Sequence, residues 1–192
     1  SRAQAHRIRI ASALDHSPRL VRLLSHETNM TRAAFSPDGA RLLAVSEKAG
    51  WAQLFNANSG APISSRLEHA DALSAAQFND AGDQALTAGW DGAARIWDAS
   101  NGRLLQTLRH DDRVAGAVFS HDGRRIATFT FGRALRIWDA RTGAIERVLP
   151  IEAPANEAEF SPDGKWVAAG LLGVVLGFAM LLARWIQRRH GP

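Results

Sequence analysis

Cysteine is absent from the 192-residue chain. Its absence excludes disulfides, thiolate zinc sites and cysteine nucleophiles, and leaves the redox compartment open. Lysine is scarce: Lys48 and Lys165 are the only two among 23 basic residues. Such an arginine bias, alongside abundant alanine, reads as bacterial genome composition and not as phosphate recognition. The net charge of +4 rests largely on Arg184, Arg188 and Arg189 at the C-terminal end. Elsewhere the signs are mixed, so no nucleic-acid partner is expected. Residues 1–30 hold no apolar run of signal-peptide type, and no methionine opens the chain; it reads as a piece of a longer protein. Also missing are the phosphate-cradling G-x-x-x-x-G-K-[ST], the nucleophile elbow G-x-S-x-G and the zinc pair H-E-x-x-H. No two histidines have zinc-site spacing. The expectation is therefore no enzyme: no catalytic residue, no metal and no cofactor.

What is present is a repeat. The phrases AAFSPDG, AQFNDAG, AVFSHDG and AEFSPDG end at Gly39, Gly82, Gly123 and Gly164. Their phenylalanines, Phe35, Phe78, Phe119 and Phe160, are spaced 43, 41 and 41 residues apart. A second phrase follows each of the first three: LFNANSG at 54–60, IWDASNG at 96–102 and IWDARTG at 137–143. Each unit reads as four short strands. Proline, aspartate and glycine supply the turns, and Asp38, Asp80, Asp122 and Asp163 read as turn residues. No window before residue 166 sustains a helical period. Short strands with frequent turn signals argue an all-β fold, and units of this size hide their apolar faces only by stacking.

The Trp97–Asp98 and Trp138–Asp139 pairs, with a histidine nine residues before each of the first three phenylalanines, at His26, His69 and His110, resemble the WD-repeat β-propeller family. The resemblance covers about residues 8–170 and implies blades of four antiparallel strands. It also implies a hydrogen-bonded tetrad of His, Ser/Thr, Asp and Trp in each blade. His69, Thr87, Asp91 and Trp97 fill all four places. His110, Thr128 and Trp138 fill three, with Gly132 where the aspartate belongs. The first unit has Phe55 for the tryptophan and Ala49 near the aspartate position. His26, His69 and His110 then read as structural. His121, in place of a turn proline, reads as solvated, and His6, His16 and His190 stand isolated.

The expected architecture is three complete blades (about 26–68, 69–109 and 110–150) and two half blades (8–25 and 151–170). An arc of a longer array, completion by a second copy and a closed ring all remain open. A homo-oligomer is one of these outcomes. Residues 171–192 read as an apolar helix with a basic end. Lys165 and Arg184 enclose an uncharged stretch just short of a bilayer core. Gly173 and Gly177 form a G-x-x-x-G helix-packing pair. The helix either inserts through 166–186, giving a membrane-anchored sensor, or docks on a cytoplasmic propeller.

The resemblance implies that protein partners meet the loops from strand four to the next strand one, and from strand two to strand three. Those loops are 27–30, 70–73 and 111–113, and 47–50, 89–92 and 129–133. Trp90, Phe131, Arg113 and Arg133 are the contact candidates, since aromatics and arginine dominate desolvated interfaces. The expected function is a non-catalytic protein-interaction scaffold.

Overall fold

The computed structural model describes the backbone of residues 6–13, 18–26, 30–151, 155–171 and 179–184, and the side chains of 30–151 and 155–170. Every regular element in these stretches is a β-strand. β1 (His6–Ala13) and β2 (Pro18–His26) form an antiparallel hairpin. Three four-stranded antiparallel sheets follow. The first holds β3 (Arg32–Phe35), β4 (Arg41–Ser46), β5 (Trp51–Asn56) and the short β6 (Leu67–Glu68). The second holds β7 (Leu73–Phe78), β8 (Gln84–Gly89), β9 (Ala93–Asp98) and β10 (Leu104–Arg109). The third holds β11 (Val114–Phe119), β12 (Arg125–Thr130), β13 (Ala134–Asp139) and β14 (Ile145–Pro150). In each, the strands lie side by side in chain order.

The second strand of each four-stranded sheet is largely apolar, and both its sides are buried. Leu43, Val45 and Leu54 of the first sheet pack on Leu73, Ala85 and Trp97 of the second. The opposite side of the second sheet, with Leu86, Ile96 and Leu108, packs on Val114, Ala117, Ile126 and Trp138 of the third. The third sheet turns Phe129, Leu135 and Ile137 toward Ala155, Ala158, Phe160 and Val167. Adjacent residues such as Ile126 and Ala127 thus serve different cores. Each fully buried Leu or Ile contributes about 1.5–3 kcal/mol, and none would be covered by its own sheet alone. The first strands β3, β7 and β11 meet one another in succession, and β11 meets the next one, β15 (Ala155–Phe160). The outermost β14 is largely exposed.

The C-terminal segment departs from the sequence reading. β15, β16 (Trp166–Leu171) and β17 (Ala179–Arg184) form a three-stranded antiparallel sheet. Residues 179–184 are therefore strand, not part of a helix over 171–192, and the fourth unit has a third strand. β17 pairs along all of β16, from Trp166 opposite Arg184 to Leu171 opposite Ala179. A short apolar run carries no period that separates strand from helix. The open edge of β16 decides, because ladder hydrogen bonds satisfy the backbone groups of both segments. Gly173 and Gly177 fall in 172–178, outside the described residues, as do Arg188 and Arg189. Among the described residues no helix is long and apolar enough to cross a membrane.

Candidate functional site

One chain of hydrogen bonds pins the second four-stranded sheet beneath its loops. Trp97 Nε1 on β9 donates to Thr87 Oγ1 on β8 at 2.8 Å. Thr87 Oγ1 lies 2.8 Å from His69 Nε2. His69 Nδ1 lies 2.9 Å from Asp91 Oδ1, in the turn between β8 and β9. A carboxylate only accepts, so His69 Nδ1 carries the proton and Nε2 accepts the Thr87 hydroxyl. Asp91 also accepts the amides of Ala70 and Ala93, both at 3.2 Å, and Arg95 Nη1 at 2.8 Å. Arg95 Nη1 stands 2.6 Å from His69 Nδ1; both are donors, and the carboxylate between them holds them together. Burial first, and then Arg95, keeps the His69 pKa below its ordinary 6.5, although Asp91 pulls the other way. Burial alone would raise Asp91, yet the bonds from His69 and Arg95 bring it down to about 2. Replacing Thr87 with valine keeps the shape but orphans the Trp97 N–H and His69 Nε2. The expected loss is about 2 kcal/mol in urea denaturation. An unchanged midpoint would show that the hydroxyl does not organise the sheet.

The third sheet solves the same problem with different residues. Thr128 Oγ1 accepts Trp138 Nε1 at 2.8 Å and lies 2.7 Å from His110 Nε2. With Gly132 at the aspartate place, His110 Nδ1 turns to the Leu108 carbonyl at 3.1 Å. Asp111, on the preceding loop, supplies the carboxylate to Arg136 at 2.7 Å. Sequence reasoning missed that replacement; the Asp111–Asp112 pair directly after His110 was the available signal. The first sheet discards the polar network. Ala44 takes the threonine place and packs with Leu42, Phe55 and Met30. Phenylalanine has no N–H to satisfy, so no hydroxyl is needed beside it.

The turns at the other end repeat a serine–aspartate device. Ser36, Ser120 and Ser161 donate to Asp38, Asp122 and Asp163. Asp80 does not take that role in the second unit. Asn79 accepts the Gln84 amide and donates to Asp83 instead. Asp80 occupies the proline place and pairs at 2.8 Å with His121, which holds the same place one unit later.

Trp90, Phe131 and Arg113 come together at the loop end of the second and third sheets, and Arg133 lies two residues beyond Phe131. Trp90 and Phe131 are 40% and 43% exposed. Their rings meet edge-to-face, with centroids 6.2 Å apart and planes at 83°. Packing between neighbouring units and exposure to solvent therefore coexist. The Arg113 guanidinium lies over the Trp90 ring at 5.3 Å from its centroid. The loops are locked by backbone bonds: Trp90 N–H donates to Ala72 at 2.8 Å and Phe131 N–H to Arg113 at 3.2 Å. Arg133 ends the Phe131 turn, exposed, and its carbonyl accepts the Ile151 amide at 2.9 Å. Among the described residues no group of three His, Asp or Glu side chains is placed to hold a metal ion.

Stacked four-stranded antiparallel meanders, two of the three knit from inside by His–Thr–Trp bonds, define an all-β repeat protein of β-propeller type. A family model, WD domain, G-beta repeat, matches residues 60–98 and 102–139. The chain carries WD repeats over those two stretches. Repeats of this family generally mediate protein–protein interaction. A search of curated proteins finds no match to the chain.

Proposed function

We propose that this chain is a non-catalytic scaffold: an arc of a WD-repeat propeller that docks a protein partner on its loop end. The three four-stranded sheets are its complete blades, flanked by part-blades before residue 26 and after residue 150. The observation that supports this reading is the Trp90–Phe131 pair, half-exposed, rigidly seated and capped by Arg113. Two aromatic rings held by neighbouring blades lose little further freedom on binding, and they present a large apolar area with a positive rim. The loops beneath them are fixed by backbone hydrogen bonds, so the surface is preorganised.

The test is panning of a random twelve-residue peptide library displayed on phage against the chain. Synthetic copies of enriched peptides are then titrated against the wild type and Trp90→Ala. The alanine variant is expected to weaken binding at least about tenfold with its circular dichroism spectrum unchanged. Equal affinity in a folded Trp90→Ala protein would reject the docking face.

A further inference from the structure

The turn between the second and third strands of each blade ends on Gly50, Gly92 and Arg133, with φ of 70°, 74° and 61°. Arg133 is the one non-glycine residue with positive φ among the described residues. In that left-handed conformation a Cβ crowds the backbone, which glycine avoids. Nothing among the described residues repays the strain. The Arg133 carbonyl accepts the Ile151 amide at 2.9 Å, but the carbonyls of Gly50 and Gly92 accept those of His69 and His110 in the same way, at 2.7 and 2.8 Å. The Arg133 side chain is exposed and makes no ion pair, hydrogen bond or ring contact among the described residues. A strained residue whose side chain does no structural work points to a task outside the fold.

The surroundings indicate which task. Arg133 stands two residues from Phe131, whose amide bonds Arg113, and Arg113 lies over Trp90. Asp91 is engaged by His69 and Arg95, and Asp111 by Arg136. Asp71 accepts the Ala72 amide. Asp112 is held in the same way: its Oδ1 accepts the Arg113 amide at 2.7 Å, and its Oδ2 faces Gly132, next to Phe131. Among the described residues neither the Arg113 nor the Arg133 guanidinium pairs with a carboxylate, so both stay available to an anion beside the aromatic pair.

We propose that Arg133 and Arg113 receive a side-chain carboxylate of an acidic peptide segment, while an apolar neighbour of that carboxylate lies on Trp90 and Phe131. This rests on the docking-face reading above and names the partner's chemistry. Asp112 favours a carboxylate over a phosphate, because a dianion would be repelled by it more strongly than a monoanion.

The experiment extends the same panning to Arg133→Gly, Arg133→Asn and Asp112→Asn. Enriched peptides should carry Asp or Glu within a few residues of a large apolar side chain. Arg133→Gly should melt higher, on the order of 3 °C, and bind those peptides about fivefold or more weaker. Arg133→Asn, which tolerates the left-handed conformation, should weaken binding equally, and Asp112→Asn should tighten it. Four results overturn the proposal: enriched peptides without acidic residues, undiminished binding by both Arg133 variants, a lower melting temperature for Arg133→Gly, or tighter binding when phosphoserine replaces the peptide's acid. Binding that depends on Trp90 but not on Arg133 removes this inference alone. Binding independent of both, or no enriched peptide, removes the docking face as well.

Discussion

Trp138→Ala is expected to destabilise the protein by about 4 kcal/mol, the largest loss from any single change considered. Trp138 is 3% exposed and sits in the core shared by the second and third four-stranded sheets, beside Leu86, Ile96 and Leu108. Truncation opens a cavity between two sheet faces that cover each other, and both sheets are held in place by their own hydrogen-bond ladders. The cavity therefore cannot collapse fully. The change also removes the N–H that Thr128 accepts at 2.8 Å. Trp138→Phe separates the two contributions: it keeps most of the ring and loses the N–H, so about 1–1.5 kcal/mol is expected. Urea denaturation followed by far-ultraviolet circular dichroism gives both values. A loss under about 2 kcal/mol for the alanine variant would show that the sheets do not depend on each other for burial.

Stability is expected to fall as pH drops from about 6.5 toward 4. His110 carries most of this dependence. Burial first, then the Arg136 guanidinium, pushes its pKa from 6.5 down to about 4. The folded protein thus resists a proton that the unfolded chain accepts at 6.5. Above that pH both states hold the ring neutral and the histidine contributes no pH dependence. Between the two values the unfolded state binds more protons, so unfolding becomes easier as pH falls. The integrated effect for His110 is about 2–3 kcal/mol. His69, lowered mainly by burial, acts in the same direction. Asp91, held at about 2, adds a further loss below its ordinary 3.8. Urea midpoints measured at steps from pH 7.5 to 4 should fall steadily, and His110→Gln should flatten that slope. An equally steep slope in the glutamine variant would place the titration elsewhere.

These effects were readable in the chain to different depths. The recurrence of Phe35, Phe78, Phe119 and Phe160 marks the repeat, because a turn and the strand before it are specified within a few residues. The set His69, Thr87, Asp91 and Trp97 was readable through the resemblance to the WD-repeat family, and its co-occurrence makes physical sense because buried polar groups need partners. Compensation between segments was not. Asp111 serves Arg136 across 25 residues, and no local rule reserves an aspartate after His110 for an arginine on β13. The phrase AQFNDAG hid the fact that Asn79 and Asp83 make the turn while Asp80 reaches His121. Ala44 opposite Phe55 gave no polar signal, since its solution is to need none.

By itself the sequence determined the period, most of the strands and most of the turns, because these follow from side-chain alternation and turn residues; the residues of the one complete polar network were legible through the resemblance to the WD-repeat family. Tertiary structure alone decided that Trp90 and Phe131 touch, that Arg113 covers Trp90, and that Arg133 bears a conformation its counterparts leave to glycine. It also turned residues 179–184 into a strand where their composition suits a helix. Contacts between blades depend on how separate segments stack, and an apolar run takes whichever backbone pairing its neighbours leave open.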